Sequence, residues 1–131
     1  MAFAEYEKHD ALGLGDLVRQ KKVTALELTD EAIARSERIN PKINAIVFQA
    51  FDMARDAAKR GAVDGPFSGV PMFLKDMRAG AVGMPTRNGS RFVPPVPADH
   101  DATRVMRDRA AGLIPLGKTN VPEFGILPVS E

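Results

Sequence analysis

The chain has 131 residues, with 18 Lys plus Arg against 17 Asp plus Glu and a formal charge of +1; one compact domain of that length buries about two thirds of the surface its unfolded form exposes. So balanced a charge supplies no field to gather phosphate backbones or anionic lipid, and neither nucleic acid nor a membrane surface is an expected partner. Cysteine is absent, which excludes disulfides and thiolate metal sites and suits a reducing, cytoplasmic setting.

No run approaches the roughly 18 apolar residues that cross a bilayer. Glu5, Lys8 and Asp10 stand where a secretory leader would carry a basic patch and an apolar block.

In chain order, a short helix with Leu14, Leu17 and Val18 inward comes first. Thr24-Ala25-Leu26-Glu27 has the spacing of a capping box, so a second helix is predicted to start there. Its inner face reads Ala25, Leu28, Ala32, Ser36 and Ile39, and Asn40-Pro41 is expected to end it, giving a helical start over about residues 11–40. Residues 43–47 are β-prone, and Phe48, Phe51, Ala54 and Ala58 then recur at helical spacing up to Gly61, a natural left-handed cap. A Gly-Pro loop leads to an apolar strand over residues 69–76 that carries Lys75.

Residues 79–97 read as a long Gly/Pro-rich loop, blocked from regular structure by Pro94-Pro95 and Pro97. Asp101 is placed to cap a helix over residues 102–111 with Val105 and Met106 inward, and Gly112 to end it. Leu113-Ile114-Pro115-Leu116 follows as a strand whose proline suggests a strand start or an edge, so that residues 101–117 form a helix and strand. Helices alternating with short apolar strands predict an α/β layer arrangement, with residues 1–131 as one segment of a single domain and no internal repeat.

Few residues present themselves for chemistry. His9 and His100 are too few for a metal cluster, and His100 in Asp99-His100-Asp101 reads as a solvated loop residue, so neither metal nor cofactor is expected. Residues 112–119, Gly112-Leu113-Ile114-Pro115-Leu116-Gly117-Lys118-Thr119, satisfy the pattern of a phosphate-cradling loop. A helix precedes them, an apolar strand occupies their middle and Pro122 interrupts the element after Thr119, whereas a phosphate loop leaves its amides free and opens directly into a helix. Nucleotide binding is therefore not expected.

The stretch Gly69-Val70-Pro71-Met72-Phe73-Leu74-Lys75-Asp76 drives a lysine to the end of an apolar run. Held out of water such a lysine loses its proton and serves as a base; left in water it merely caps the strand. Strand alternation puts Lys75 on the side of Phe73 and Asp76 on the other.

These residues resemble the lysine segment of the amidase signature family. Gly117-Lys118-Thr119-Asn120-Val121-Pro122-Glu123-Phe124-Gly125 resembles a second segment of that family. Gly83-Met84-Pro85-Thr86, Gly89-Ser90, Arg109-Ala110-Ala111-Gly112 and the helix from Thr24 to Pro41 are similar in the same order, so the resemblance covers nearly the whole chain. It implies a mixed-sheet α/β/α fold of which this chain is the amino-terminal part, incomplete as it stands.

It also implies an amidohydrolase that uses a nucleophilic serine, a second serine in a cis peptide and a lysine, the lysine matching Lys75. A base near neutrality needs that lysine lowered by about three units, or about 4 kcal/mol. Ser36, Ser68, Ser90 and Ser130 stand in no Gly-x-Ser-x-Gly elbow and no Gly/Ser-rich turn. The chain is thus expected to contribute Lys75 but not the serines, to be inactive alone, and to need a carboxy-terminal part or a complementing chain before a small-molecule amide is cleaved. Unpaired sheet edges and apolar faces would leave it liable to association, a homo-oligomer included. The substrate-binding residues stay unassigned. Two alternatives are a piece of a glutamine-hydrolysing amidotransferase subunit, or a non-catalytic interaction or scaffold subunit.

Overall fold

The computed structural model describes residue 3 and residues 5–130. After a single 3-10 turn at Tyr6–Lys8, helix α1 spans Ala11–Arg19, with the Asp10 carboxylate accepting the Gly13 N–H at 2.8 Å. Helix α2, Ala25–Ile43, opens with both halves of the capping box: Thr24 Oγ1 accepts the Glu27 N–H at 3.1 Å and Glu27 Oε2 accepts the Thr24 N–H at 2.9 Å.

The helix does not stop at Asn40-Pro41 but continues to a left-handed C-cap at Asn44 (φ 48°). Pro41 falls in the last turn, where its missing amide deprives only the Glu37 carbonyl of a partner. The Asn40 side chain then accepts the Ile46 N–H at 2.8 Å and donates to the Ile46 carbonyl at 3.1 Å, turning the chain into strand β1, Ile46–Gln49. Ile43 is therefore the end of a helix and not the start of a strand.

The buried face of α2 is Ala25, Leu28, Thr29, Ala32 and Ile33. The row expected through Ser36 and Ile39 leaves the core after Ile33: the Ser36 hydroxyl donates back to the Ala32 carbonyl at 2.7 Å, and Ile39 is 45% exposed. Helix α3, Phe51–Lys59, buries Phe51, Ala54 and Ala58, and Gly61 beyond it has φ +106°. Phe48, expected in the same helical row, belongs to β1.

Strand β2, Pro71–Lys75, helix α4, Thr103–Ala110, and strand β3, Ile114–Thr119, complete the layers. The sheet is mixed, in the order β1-β3-β2, with β1 antiparallel and β2 parallel to β3. On one face Ile114, Leu116 and Phe73 pack with Ala25, Ala32 and Ile33 of α2 and with α3. On the other, Met72 and Leu74 pack with Val105 of α4 and with Ala79, Ala81 and Met84 of the following loop. That loop has no regular element, as its prolines predict, yet it is anchored by the bridges Ala81↔Met84, Val82↔Ala98 and Pro85↔Pro97.

Two further expectations are corrected. Asp101 does not cap α4, whose N-cap is Ala102; its carboxylate instead accepts the Val82 N–H and an Arg109 Nε–H, each at 2.8 Å, tying loop and helix together. Met106 is 53% exposed while Val105 is fully buried, because so short a helix presents a single row to the sheet. Pro115, read as a start or edge signal, is the second residue of the middle strand, where only β2 is paired with it. Its missing amide is not needed there: Ile114 N–H bonds Val70 on the β2 side, the next nitrogen points the other way, and on the β1 side the last bond runs from Ala50 N–H to the Leu116 carbonyl at 2.8 Å, one residue beyond the proline.

The parity of β3 changes partway along it. Met72 pairs with Pro115 but Leu74 with Lys118, so β3 carries one extra residue in a bulge at Leu116-Gly117. Gly117 has φ +152°, and a Cβ there would overlap the Phe48 carbonyl oxygen. The bulge rotates Lys118 from the face of Leu116 to the face of Leu74.

Candidate active site

Lys75 ends β2 opposite Thr119, and its side chain is exposed. Among the described residues no hydrogen bond or ion pair engages its amine. The desolvated environment that a lysine base requires is therefore not built around Lys75 by the described residues of this chain.

The lysine in such an environment is Lys118, which is 0% exposed. Its Nζ donates to the Ala79 carbonyl and, at 3.0 Å, to Thr86 Oγ1. Burial pushes its pKa below the ordinary lysine value, and the Asp76 carboxylate partly opposes that shift. Sequence reasoning missed Lys118. In the sequence it stands two residues beyond the predicted strand Leu113–Leu116, noted only for the phosphate-loop pattern and the family resemblance; the observed strand runs on to Thr119, and the bulge that turns Lys118 inward is invisible to strict alternation. In the folded chain residues 114–119 are a strand, with Lys118 aimed into the loop layer and closed to any ligand.

Asp76, directly after Lys75, is 4% exposed. Its N–H donates to the Thr119 carbonyl at 3.1 Å, Oδ1 accepts the Arg87 N–H at 2.9 Å and Oδ2 accepts the Gly89 N–H at 3.2 Å. A carboxylate with two amide donors is satisfied although buried.

A second set of contacts joins the loop at Asn88-Gly89-Ser90 to the second matched segment, residues 117–125. The Ser90 hydroxyl donates to Glu123 Oε1 at 2.6 Å and accepts the Phe92 N–H at 3.3 Å, while the Phe124 N–H donates to the Asn88 carbonyl at 2.8 Å. Gly89 (φ +66°) packs so closely that a Cβ would overlap the Val121 carbonyl oxygen. Beside this junction Val47, Phe48, Asp76, Arg87, Ser90 and Asn120 line a cleft of about 240 Å³.

The serines are dispersed. Ser36 bonds within α2, Ser68 and Ser90 are buried, Ser130 is exposed, and none is hydrogen-bonded to Lys75. His100 lies in the exposed loop, where its ring contacts Asp99 Oδ1 at 2.6 Å and helps hold that carboxyl below its usual range. Among the described residues no group of three or more His, Asp or Glu could hold a metal ion, and no helix is long and apolar enough to cross a membrane.

The family model named Amidase matches residues 27–131, and the chain belongs to that family. It is 42% identical over 125 residues to AmiC of Mycobacterium tuberculosis, covering 93% of this chain and 26% of that protein. It is 39% identical over 118 residues to the 6-aminohexanoate-cyclic-dimer hydrolase of Paenarthrobacter ureafaciens, covering 88% of this chain and 24% of the relative. A glutamyl-tRNA(Gln) amidotransferase subunit from Halorhodospira halophila is 36% identical over 111 residues, 80% of this chain and 23% of that protein. The fold agrees: a solved 6-aminohexanoate cyclic dimer hydrolase superposes with a TM-score of 0.86 at 38% identity, over 94% of this chain and 26% of the other. The chain thus spans about a quarter of the length of these relatives, and its mixed α/β architecture is that of the amino-terminal portion of larger amidases.

Proposed function

We propose that the chain supplies Lys75 as the base of a Ser-cisSer-Lys amidohydrolase acting on small-molecule amides, and that the 131 residues alone are inactive. The observation that carries the reading is the position of Lys75. It ends a strand in the middle of a matched family segment, its amine is engaged by no other described side chain, and the next residue is anchored on three sides. An exposed amine of this kind is available to receive hydroxyl partners; Lys118, buried and already hydrogen-bonded, is not.

The chemistry then runs in a fixed order. A nucleophilic serine attacks the amide carbonyl and its proton passes through the bridging serine to neutral Lys75. The lysine returns the proton to the departing amine, and water releases the acyl group. Covering Lys75 with further protein would strip it of solvent and lower its pKa, as burial already does for Lys118. The absence of cysteine suits a cytoplasmic setting.

The test joins this chain to the remaining three quarters of the 6-aminohexanoate-cyclic-dimer hydrolase and assays amide cleavage. The expected result is turnover by the chimera, none by the isolated chain, and loss of at least about a hundredfold on Lys75→Ala or Lys75→Arg, since arginine keeps the charge but cannot act as the base. A chimera active without Lys75 would overturn the assignment and leave an interaction role for this chain. Hydrolysis by the chain alone that disappears with Lys75→Ala would overturn its dependence on further protein. The likeness to a glutamyl-tRNA(Gln) amidotransferase favours a second reading, in which the amide is glutamine; release of ammonia from glutamine by the same chimera series distinguishes it.

A further inference from the structure

We infer that Asp76 and Lys118 are positioning residues for Lys75, a buried carboxylate and a buried ammonium that pin the loop after β2 to the ends of β2 and β3 and so fix where the Lys75 amine stands. The inference rests on the role proposed for Lys75.

The two charges flank the lysine's backbone. Asp76 follows Lys75 in the chain, and Lys118 precedes Thr119, the residue paired with Lys75 across the β2–β3 ladder. The same Thr119 accepts the Asp76 N–H at 3.1 Å, and its hydroxyl lies 3.4 Å from the Leu74 carbonyl. Through the bulge, Lys118 shares the face of Leu74, and alternation places Asp76 on that face as well.

From this face both groups grip one loop. Lys118 holds Ala79 and Thr86, and Asp76 holds the amides of Arg87 and Gly89. The loop is thereby closed against the sheet at four of its residues, immediately behind the lysine.

A structural clasp alone needs no charge. Asp76 and Lys118 bond to the loop and not to each other; taking each charge out of water costs several kcal/mol, and well-packed apolar residues of similar volume hold such a place as well or better. Charges of opposite sign buried one residue from the proposed base, and one residue from its cross-strand partner, serve geometry where apolar packing would leave slack. Thr86 and the backbone amides complete their hydrogen bonding.

The experiment uses the full chain with its lysines reductively methylated with 13C, so that each amine reports its own environment by NMR, and Lys75→Arg assigns the Lys75 signal. Asp76→Asn is nearly isosteric: it can keep the bond from Arg87 while its amide nitrogen cannot accept the Gly89 N–H. Lys118→Met keeps the stem and removes the ammonium.

Both variants are expected to move the Lys75 signal while those of Lys42 and Lys59 stay in place. Exchange of the Gly89 amide should quicken in Asp76→Asn on the order of tenfold. In the chimera Asp76→Asn should lower kcat with KM unchanged. Should Lys118→Met fail to fold, Thr86→Val removes one acceptor of Lys118, keeps its charge and bears the same expectation. A Lys75 signal unmoved in the folded variants overturns the inference, as does movement shared equally with Lys42 and Lys59. That result is separate from the fate of Lys75 as a base, which the activity of the Lys75→Ala chimera decides.

Discussion

At the level of single side chains, two lysines have opposite situations. Lys75 is solvated and Lys118 is fully enclosed. The folded chain binds protons at Lys118 less readily than the unfolded chain does, because burial depresses the pKa there. Between that depressed value and the ordinary lysine value near 10.4, the unfolded state holds more protons, so stability rises with pH across this window. Lys118→Met is expected to flatten that rise, measured as urea midpoints at stepped pH. The sequence made Lys75 legible because an apolar run ending in lysine is a local pattern. Lys118 was not legible: strict alternation from Ile114 and Leu116 puts it on the helix face, and only the bulge shows otherwise. Asp101 was misread for a related reason, since a carboxylate at a helix start is a cap only if no better donors compete, and the Val82 amide and Arg109 do.

Within elements, the most legible feature was the start of α2, where four consecutive residues contain the whole reciprocal hydrogen-bond pattern. Thr24→Ala is expected to destabilise the chain by about 1 kcal/mol, read from the shift of the chemical denaturation midpoint, and Thr24→Ser to restore most of it. The backbone and hydroxyl bonds from Thr24 hold the Glu27 carboxyl below its ordinary value. The contribution of Glu27 is therefore present at neutral pH and lost as pH falls through that lowered value. The far end of α2 was misjudged because a proline in a last turn forfeits one bond and not a helix. Gly117→Ala tests the bulge: with φ +152° and the Phe48 carbonyl in the way, it should cost about 3 kcal/mol or release β1 from β3. Loss of amide protection in Ile46–Gln49 with β2 unaffected would be its signature.

Over the whole molecule, alternating helices and strands sufficed to predict an α/β arrangement, but not that the last strand would sit in the middle. Strand order depends on contacts between residues more than forty positions apart, such as Ile46 and Lys75 with Thr119, and no local pattern encodes them. The layers still leave apolar groups in water: Phe92 is 91%, Ile126 78% and Val96 69% exposed. Self-association rising with concentration is expected, and Phe92→Ser with Ile126→Ser should lower it in sedimentation velocity runs. The sheet itself is tapered. Beside Pro115 it is two strands wide, whereas at Thr119 both neighbours are paired, Ile46 on one side and Lys75 on the other. Thermal unzipping should begin at the narrow end and reach the broad one last, which makes the seat of Lys75 the stiffest margin of the sheet.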